Sequence, residues 1–173
     1  MELLLEIRDE DVYPSPVKHT GDYNLRTAVR AVLFNEEGKI SLQYVSKHNY
    51  HKIPGGGAEG GETIEQSLRR EVLEEAGCEI EIGESIGKII EYRNKINQLQ
   101  TNYCFLTEIK GEPKEPNYDT EEIEDEFVPI WVSIDEAIKL LENDKPSTYD
   151  SAFIIKRDLV FLQKAKELKL GKL

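Results

Sequence analysis

The chain has 173 residues, 39% of them hydrophobic, which is enough to bury one continuous core, and we expect a single domain over residues 1–173. The chain has 34 acidic and 22 basic residues, and the resulting formal net charge of −12 disfavours a long nucleic acid as ligand. No apolar run approaches the roughly 20 residues of a membrane-spanning helix, so we expect no membrane partner.

The N-terminus, Met1-Glu2-Leu3-Leu4-Leu5-Glu6, has no basic lead and no small-residue cleavage site for secretion, so we expect a cytoplasmic protein. Its two cysteines, Cys78 and Cys104, are far apart in sequence and lie outside any C-x-x-C pattern. We expect both to be reduced residues of the core.

The first regular elements follow from two β-rich runs, 26–34 and 39–45, which flank Asn35-Glu36-Glu37-Gly38 and predict a hairpin. Thr63 and Gln66 then form a capping-box pattern, and Gly77 is typical of a left-handed helix end. We therefore predict a helix over residues 64–76.

Later elements are predicted from residue type and spacing. Ser133 with Glu136 predicts the start of a capped helix, and apolar residues at helical spacing predict a last helix over about 151–168. Strands flanked by helices from different parts of the chain predict an α/β fold, with a mixed sheet between helical layers. β-branched and aromatic residues predict strands near 79–82, 87–92, 101–109 and 127–132.

The helix at 64–76 carries three glutamates, Glu71, Glu74 and Glu75, within an arc of about 100° beside its apolar face. Glu71 and Glu75 are like charges one turn apart, and no lysine follows at i+4 to compensate either. A hard cation such as Mg²⁺ or Mn²⁺ would compensate them, because such ions prefer carboxylate oxygens. The alternative is an ordinary solvated acidic face.

A glycine-rich segment, Pro54-Gly55-Gly56-Gly57, precedes this helix. Consecutive glycines allow backbone carbonyl or N–H groups to approach a ligand closely. A plain turn needs fewer glycines, so the segment indicates a binding loop.

From Gly56 the chain reads G-G-A-E-G-G-E-T-I-E-Q-S-L-R-R-E-V-L-E-E-A-G-C, which resembles the Nudix box, G-x5-E-x7-R-E-U-x-E-E-x-G-U, where U is bulky and aliphatic. Only Cys78, at the last aliphatic position, departs from the pattern, and cysteine is itself a small buried hydrophobe. The resemblance implies a Nudix-like α/β/α sandwich with a mixed β-sheet. The fixed positions of the pattern are Gly56, Glu62, Arg70, Glu71, Glu74, Glu75 and Gly77.

The resemblance also implies a metal site. In this family pattern the carbonyl of Gly55 joins Glu74 and Glu75 as ligands, and Glu71 positions the metal or acts as the base on a metal-bound water. We expect Mg²⁺ as the cofactor, with Mn²⁺ possible.

Two further roles come from the same resemblance. Arg70 is expected to orient the carboxylates by ion pairing, while Glu62 braces the loop or helps to bind a second ion. Together with Glu71, these are the expected catalytic residues.

One more acid is often recruited in this family from the loop before a strand and helix that resemble residues 130–136. Spacing alone does not choose among the acids of that loop, and we favour Glu122 or Glu124. The alternative is a flexible, solvated acidic loop. The candidates are Glu121, Glu122, Glu124, Asp125 and Glu126.

The implied function is metal-dependent hydrolysis of the diphosphate bond in a nucleoside diphosphate linked to another moiety, such as a nucleoside triphosphate, nucleotide sugar or ADP-ribose. The products are a nucleoside monophosphate and a phosphorylated fragment or pyrophosphate, and the partner is a small nucleotide. The alternative is an inactive Nudix-fold module that senses nucleotides or binds proteins. All three box glutamates are present, which favours the enzyme.

Other residues keep their default interpretation. Aromatic residues that could stack on a base, but are by default strand or core residues, are Tyr44, Tyr50, Tyr92 and Tyr103. Basic residues that could contact phosphate, but have a surface role by default, are Arg30, Lys47, His48, His51 and Lys52.

Overall fold

The computed structural model describes residues 1–172, so Leu173, the end of the predicted single domain, lies outside it. Its strands are β1 (Leu3–Arg8), β2 (Asn24–Phe34), β3 (Ile40–Val45), β4 (Tyr50–Lys52), β5 (Glu79–Arg93), β6 (Gln98–Lys110) and β7 (Phe127–Val132). Its helices are α1 (Asp9–Val12), α2 (Ile64–Ala76), α3 (Thr120–Glu124), α4 (Ile134–Asn143) and α5 (Tyr149–Leu170).

The strands form one mixed sheet in the order β1-β5-β6-β2-β3-β4, and β7 pairs with β3 beside β4. Strand β1 is parallel to β5, and β2 is parallel to β6 along its whole length, whereas the other neighbours are antiparallel. The predicted hairpin is present, because Phe34 pairs with Ile40 across a turn in which Gly38 has a φ of 73°. Parallel pairing with β6 nevertheless dominates the contacts of β2.

The predicted helices are confirmed. Helix α2 spans Ile64–Ala76, the Thr63 side chain accepts from the Gln66 N–H, and Gly77 ends the helix at a φ of 66°. Helix α4 follows its cap at Ser133 as expected. Helix α5 begins earlier than predicted, since Thr148 supplies the N-cap.

Two parts of the strand prediction are wrong. The runs near 79–82 and 87–92 form a single long strand, β5, whose register with β6 shifts between Ile82 and Gly87. The prediction also missed strands β1 and β4 and the short helices α1 and α3. Strand β1 pairs only with β5, a partner about 80 positions further along the chain, so its pairing leaves no local pattern.

The hydrophobic core lies on both faces of the sheet, as alternation along β2 requires. Ala31 and Leu33 pack against the apolar face of α2, and Val32 and Phe34 pack on the opposite face with α4 and α5. The arrangement confirms the α/β/α sandwich. The cysteines, Cys78 and Cys104, are buried and free, as predicted.

A buried ionic network joins the sheet to α5. The fully buried Arg157 donates from Nη1 to Oε1 of Glu91 at 3.1 Å and from Nε to Oδ1 of Asp158 at 2.7 Å. Arg93 donates to the second Glu91 oxygen at 2.7 Å. These cations keep the pKa of Glu91 below its usual range, even though burial, the largest single influence on it, acts in the opposite direction.

None of the described helices combines the length and the apolar character that crossing a membrane requires.

Candidate active site

The glycine-rich loop is fixed against β2 by backbone hydrogen bonds. The Val29 N–H donates to the Gly56 carbonyl at 2.9 Å, and the Ala31 N–H donates to the Pro54 carbonyl at 3.0 Å. Gly55 has a φ of 135°, and a Cβ there would collide with the Val29 carbonyl oxygen. The loop therefore approaches β2 more closely than a side chain would permit.

Helix α2 places its acids directly against this loop. Glu75 is 1% exposed, and its Oε2 accepts the Gly55 N–H at 2.8 Å. A Cβ on Gly56 would collide with the Glu71 carboxylate, so that side chain lies flat on the loop. Glu74 is more exposed and lies at the mouth of the site.

The buried acids repel one another. The pKa of Glu71 is raised, first by burial and then by the neighbouring charge of Glu75. The cluster of negative charge that the sequence of α2 predicted is therefore present. It lies in a partly buried environment, where a divalent cation would be most stabilising.

Arg70 connects the carboxylates of the loop and the helix. It donates to Glu62 at 2.8 Å, to Glu71 at 2.9 Å and to Glu74 at 3.1 Å, and also to the Gly57 carbonyl at 2.9 Å. Its hydrogen bond lowers the pKa of Glu62 to about 2. The structure thus brings the charged residues Glu62, Glu71 and Glu74 together around Arg70.

No lysine follows Glu71 or Glu75 at i+4, as the sequence indicated, but other cations on the helix and on the sheet compensate these acids. In space, the Nζ of Lys52 on β4 lies 3.0 Å from Oε1 of Glu75, and Arg70 covers Glu71 and Glu74. The Arg30 guanidinium donates to the carbonyl of Gly55. The assumption of a surface role is therefore wrong for Lys52 and for Arg30, which is 5% exposed.

Most of these acids pair with a cation. Among residues 1–172, no group of three or more His, Cys, Asp and Glu side chains is arranged closely enough to hold an ion as it stands. The donor set nevertheless fits a hard divalent ion, because it consists of carboxylates and a carbonyl that share one partly buried corner. The candidate ligands are Gly55, Glu71, Glu74 and Glu75.

The acidic segment before β7 includes a short helix, α3, on which Glu122 is partly buried while Glu121 and Glu124 are exposed. Asp119 caps α3 by accepting the Glu122 N–H at 2.8 Å, and the Glu122 side chain accepts the Asp119 N–H in return. Glu122 is half-buried and faces Glu75, and burial together with that charge raises its pKa to about 8. Glu124 does not line the same cleft.

A large cleft of about 1030 Å³ runs beside these residues. Its acidic wall includes Glu71, Glu74, Glu75 and Glu122. The same cleft is lined by Arg26, Arg30 and Arg93, and apolar surface comes from Tyr50, Ile96, Phe127 and Ile154. The cleft therefore combines acids, cations and an apolar surface wide enough for a nucleotide.

The remaining basic candidates pair with acids outside the box, and most of the aromatic candidates lie away from the cleft. Lys47 and His48 pair with Asp125, and His51 pairs with Asp144. Tyr50 alone among the aromatic candidates lines the cleft. The other three keep their default assignment as strand residues.

Sequence reasoning missed the segment that carries Glu122 into the site. The Asn117 N–H donates to the Glu74 carbonyl at 2.7 Å, so the segment before α3 packs along α2. Tyr118 donates to Gln43 at 2.7 Å, and Gln43 donates to the Glu75 carbonyl at 2.7 Å. The signal that could have revealed α3 is the capping pattern of Asp119 and Glu122, three residues apart.

Comparison with known proteins gives one family match and several relatives. The model of the NUDIX domain matches residues 24–152. A zebrafish (Danio rerio) protein, "Oxidized purine nucleoside triphosphate hydrolase", is 35% identical over 82 residues, 47% of this chain and 47% of that protein. The Arabidopsis thaliana protein "Nudix hydrolase 13, mitochondrial" is 30% identical over 111 residues, 60% of this chain and 54% of that protein.

The chain therefore spans about half the length of these curated relatives. Among solved structures, the NUDIX hydrolase from Nitrosomonas europaea aligns with a TM-score of 0.62 at 21% identity, covering 86% of this chain and 91% of that one. That likeness concerns the fold alone.

Proposed function

Because this chain belongs to the NUDIX domain family, we propose that it is a metal-dependent hydrolase of the diphosphate bond in nucleoside diphosphate derivatives. The observation that supports this most directly is the convergence of Glu71, Glu74 and Glu75 with the Gly55 carbonyl at the edge of a nucleotide-sized cleft. An inactive module of the same fold would have no need for this acid set.

The proposed roles of these groups are those that the resemblance to the family implies. The carbonyl of Gly55, Glu74 and Glu75 hold the metal, with Glu71 as a further ligand or as the base. When bound there, Mg²⁺ or Mn²⁺ would neutralise charge on the diphosphate and make water a better nucleophile.

Arg70 and Glu62 orient these acids. All four groups that accept hydrogen bonds from Arg70 belong to the loop or to α2, so its guanidinium fixes their relative positions. Tyr50 and Phe127 supply apolar surface to the same cleft.

A nucleotide panel tests the proposal. Purified protein is expected to release nucleoside monophosphate in about 5 mM Mg²⁺, a concentration that saturates weakly held Mg²⁺ sites. Excess EDTA is expected to abolish the release. Oxidised purine nucleoside triphosphates head the panel, since the zebrafish relative carries their name. Nucleotide sugars, ADP-ribose and dinucleoside polyphosphates complete it. No turnover of any substrate with either Mg²⁺ or Mn²⁺ would leave the inactive module as the better assignment.

The outer acid can be identified by alanine changes at five positions. Because Glu122 lies beside Glu75 in the same cleft, its removal should lower turnover by at least about tenfold, as loss of a general base or ligand does. The other four changes should be mild. The positions are Glu121, Glu122, Glu124, Asp125 and Glu126.

Glu122 also caps α3, so Glu122→Gln is needed as a second variant that keeps the capping acceptor. The Glu122 carboxyl loses its proton as pH rises through about 8, which makes more base available. The rate of the wild type should therefore rise with pH, and Glu122→Gln should flatten that rise. Five equally mild variants would show that Glu71 or another box residue supplies the base.

A further inference from the structure

Besides Arg70, which bonds to Glu71 and Glu74, two side-chain cations from the sheet are hydrogen-bonded to the proposed metal ligands. The Lys52 Nζ lies 3.0 Å from the Glu75 carboxylate, and the side chains are only 12% and 2% exposed. The Arg30 guanidinium donates to the carbonyl of Gly55. A metal ion on Glu75 and Gly55 would therefore compete with both cations for the same oxygens.

Lys52 has few other anchors. Apart from Glu75, its ammonium lies 4.8 Å from the centre of the Phe127 ring, and both Lys52 and Phe127 line the cleft. A buried ion pair of this kind contributes little net stability, because desolvation offsets the attraction between the charges. Fold stability alone therefore does not account for a lysine at this position.

Arg30 is incompletely satisfied where it stands. Its Nε is buried and has no hydrogen-bond partner among the described residues. Burial, and then repulsion from Arg157, lower its pKa to about 10. An unpaired buried donor costs free energy, and an anion bound in the cleft that Arg30 lines would recover it.

We propose that Lys52 and Arg30 form a binding site for a substrate phosphate. Once Glu75 and the Gly55 carbonyl coordinate a metal ion, Lys52 and Arg30 lose these partners and bind the phosphate instead. The inference rests on the proposed function, since it takes these oxygens as metal ligands. Its ligand is the phosphate chain that all candidate substrates share, so it does not depend on the base.

The exchange gives Lys52 two effects of opposite sign. While it neutralises Glu75, the lysine opposes metal binding. Once released, its charge supports phosphate binding. A lysine that only braced the loop would, when removed, weaken both kinds of binding together.

Lys52→Met separates these cases without any measurement of turnover. Binding of Mn²⁺, followed by electron paramagnetic resonance of the free ion, is expected to tighten about tenfold, within the usual range of coupling between sites. Binding of methylenediphosphonate, a diphosphate that cannot be hydrolysed, is expected to weaken about tenfold at saturating Mn²⁺. Lys52→Arg keeps the charge and should restore both affinities.

Lys39→Met is the matched control, because Lys39 is an exposed lysine paired with Glu37 at the β2–β3 turn, outside the cleft. It should change neither affinity. Two shifts of the same sign for Lys52→Met, no shift in either affinity, or no binding of methylenediphosphonate to the wild type would overturn the proposal. If those results accompanied normal hydrolysis of the nucleotide panel, the proposed function would stand without it.

Discussion

Glu75→Gln is expected to lower turnover about 100- to 1000-fold while the protein still folds, because the change keeps the shape and removes a charge that the metal requires. The amide oxygen of glutamine can still accept the Gly55 N–H that Glu75 accepts at 2.8 Å. Steady-state rates at saturating Mg²⁺, together with the thermal unfolding midpoint, measure the two effects separately.

Glu65→Gln provides the control on the same helix. Glu65 is exposed and pairs with Arg69 at 2.9 Å, on the side of α2 away from the loop. Its removal should leave turnover within about twofold, since an exposed pair contributes little. Near wild-type rates for Glu75→Gln would refute the assignment of Glu75 as a ligand.

Arg157→Met is expected to reduce the free energy of unfolding by about 3 to 5 kcal/mol, the usual cost of breaking a buried ion pair on one side. Arg157 is fully buried and bonds to both Glu91 and Asp158. Methionine fills a similar space and leaves these carboxylates short of positive charge. Urea unfolding of the two proteins measures the difference.

The matched change is Lys166→Met, on the same helix. Lys166 forms an exposed pair with Asp135 at 2.6 Å, so its loss should cost less than about 1 kcal/mol. If Arg157→Met proved as mild as this control, Arg93 would have to be sufficient to compensate Glu91 by itself.

The helices could be predicted from the sequence because their signals are local. Thr63, Gln66 and Gly77 mark the ends of α2, and the structure places the helix between them. The sheet order could not be predicted in the same way. The parallel pairing of β2 with β6 joins Asn24 to Gln98, and no short-range pattern reports a contact over that distance.

The site divides along the same line. The box acids follow one another on one helix, so their convergence was visible in the sequence. Lys52 and Arg30 received a surface role because their partners, Glu75 and Gly55, lie 23 and 25 positions away. Glu122 was one of the two acids favoured outside the box. Its half-buried position depends on helix α3, which was not predicted from the sequence.

The segment before α3 is attached to α2 at two points, since the Lys114 N–H donates to the Gly77 carbonyl at 2.8 Å and the Asn117 N–H donates to the Glu74 carbonyl at 2.7 Å. Only two residues separate these attachments, so an insertion between them must either bulge into solvent or break one of the bonds. The length of this short stretch therefore determines the distance between Glu122 and the acids of α2. Variation in chain length is far easier to accommodate at the exposed turn around Gly38, where nothing lies within 4 Å of an added Cβ.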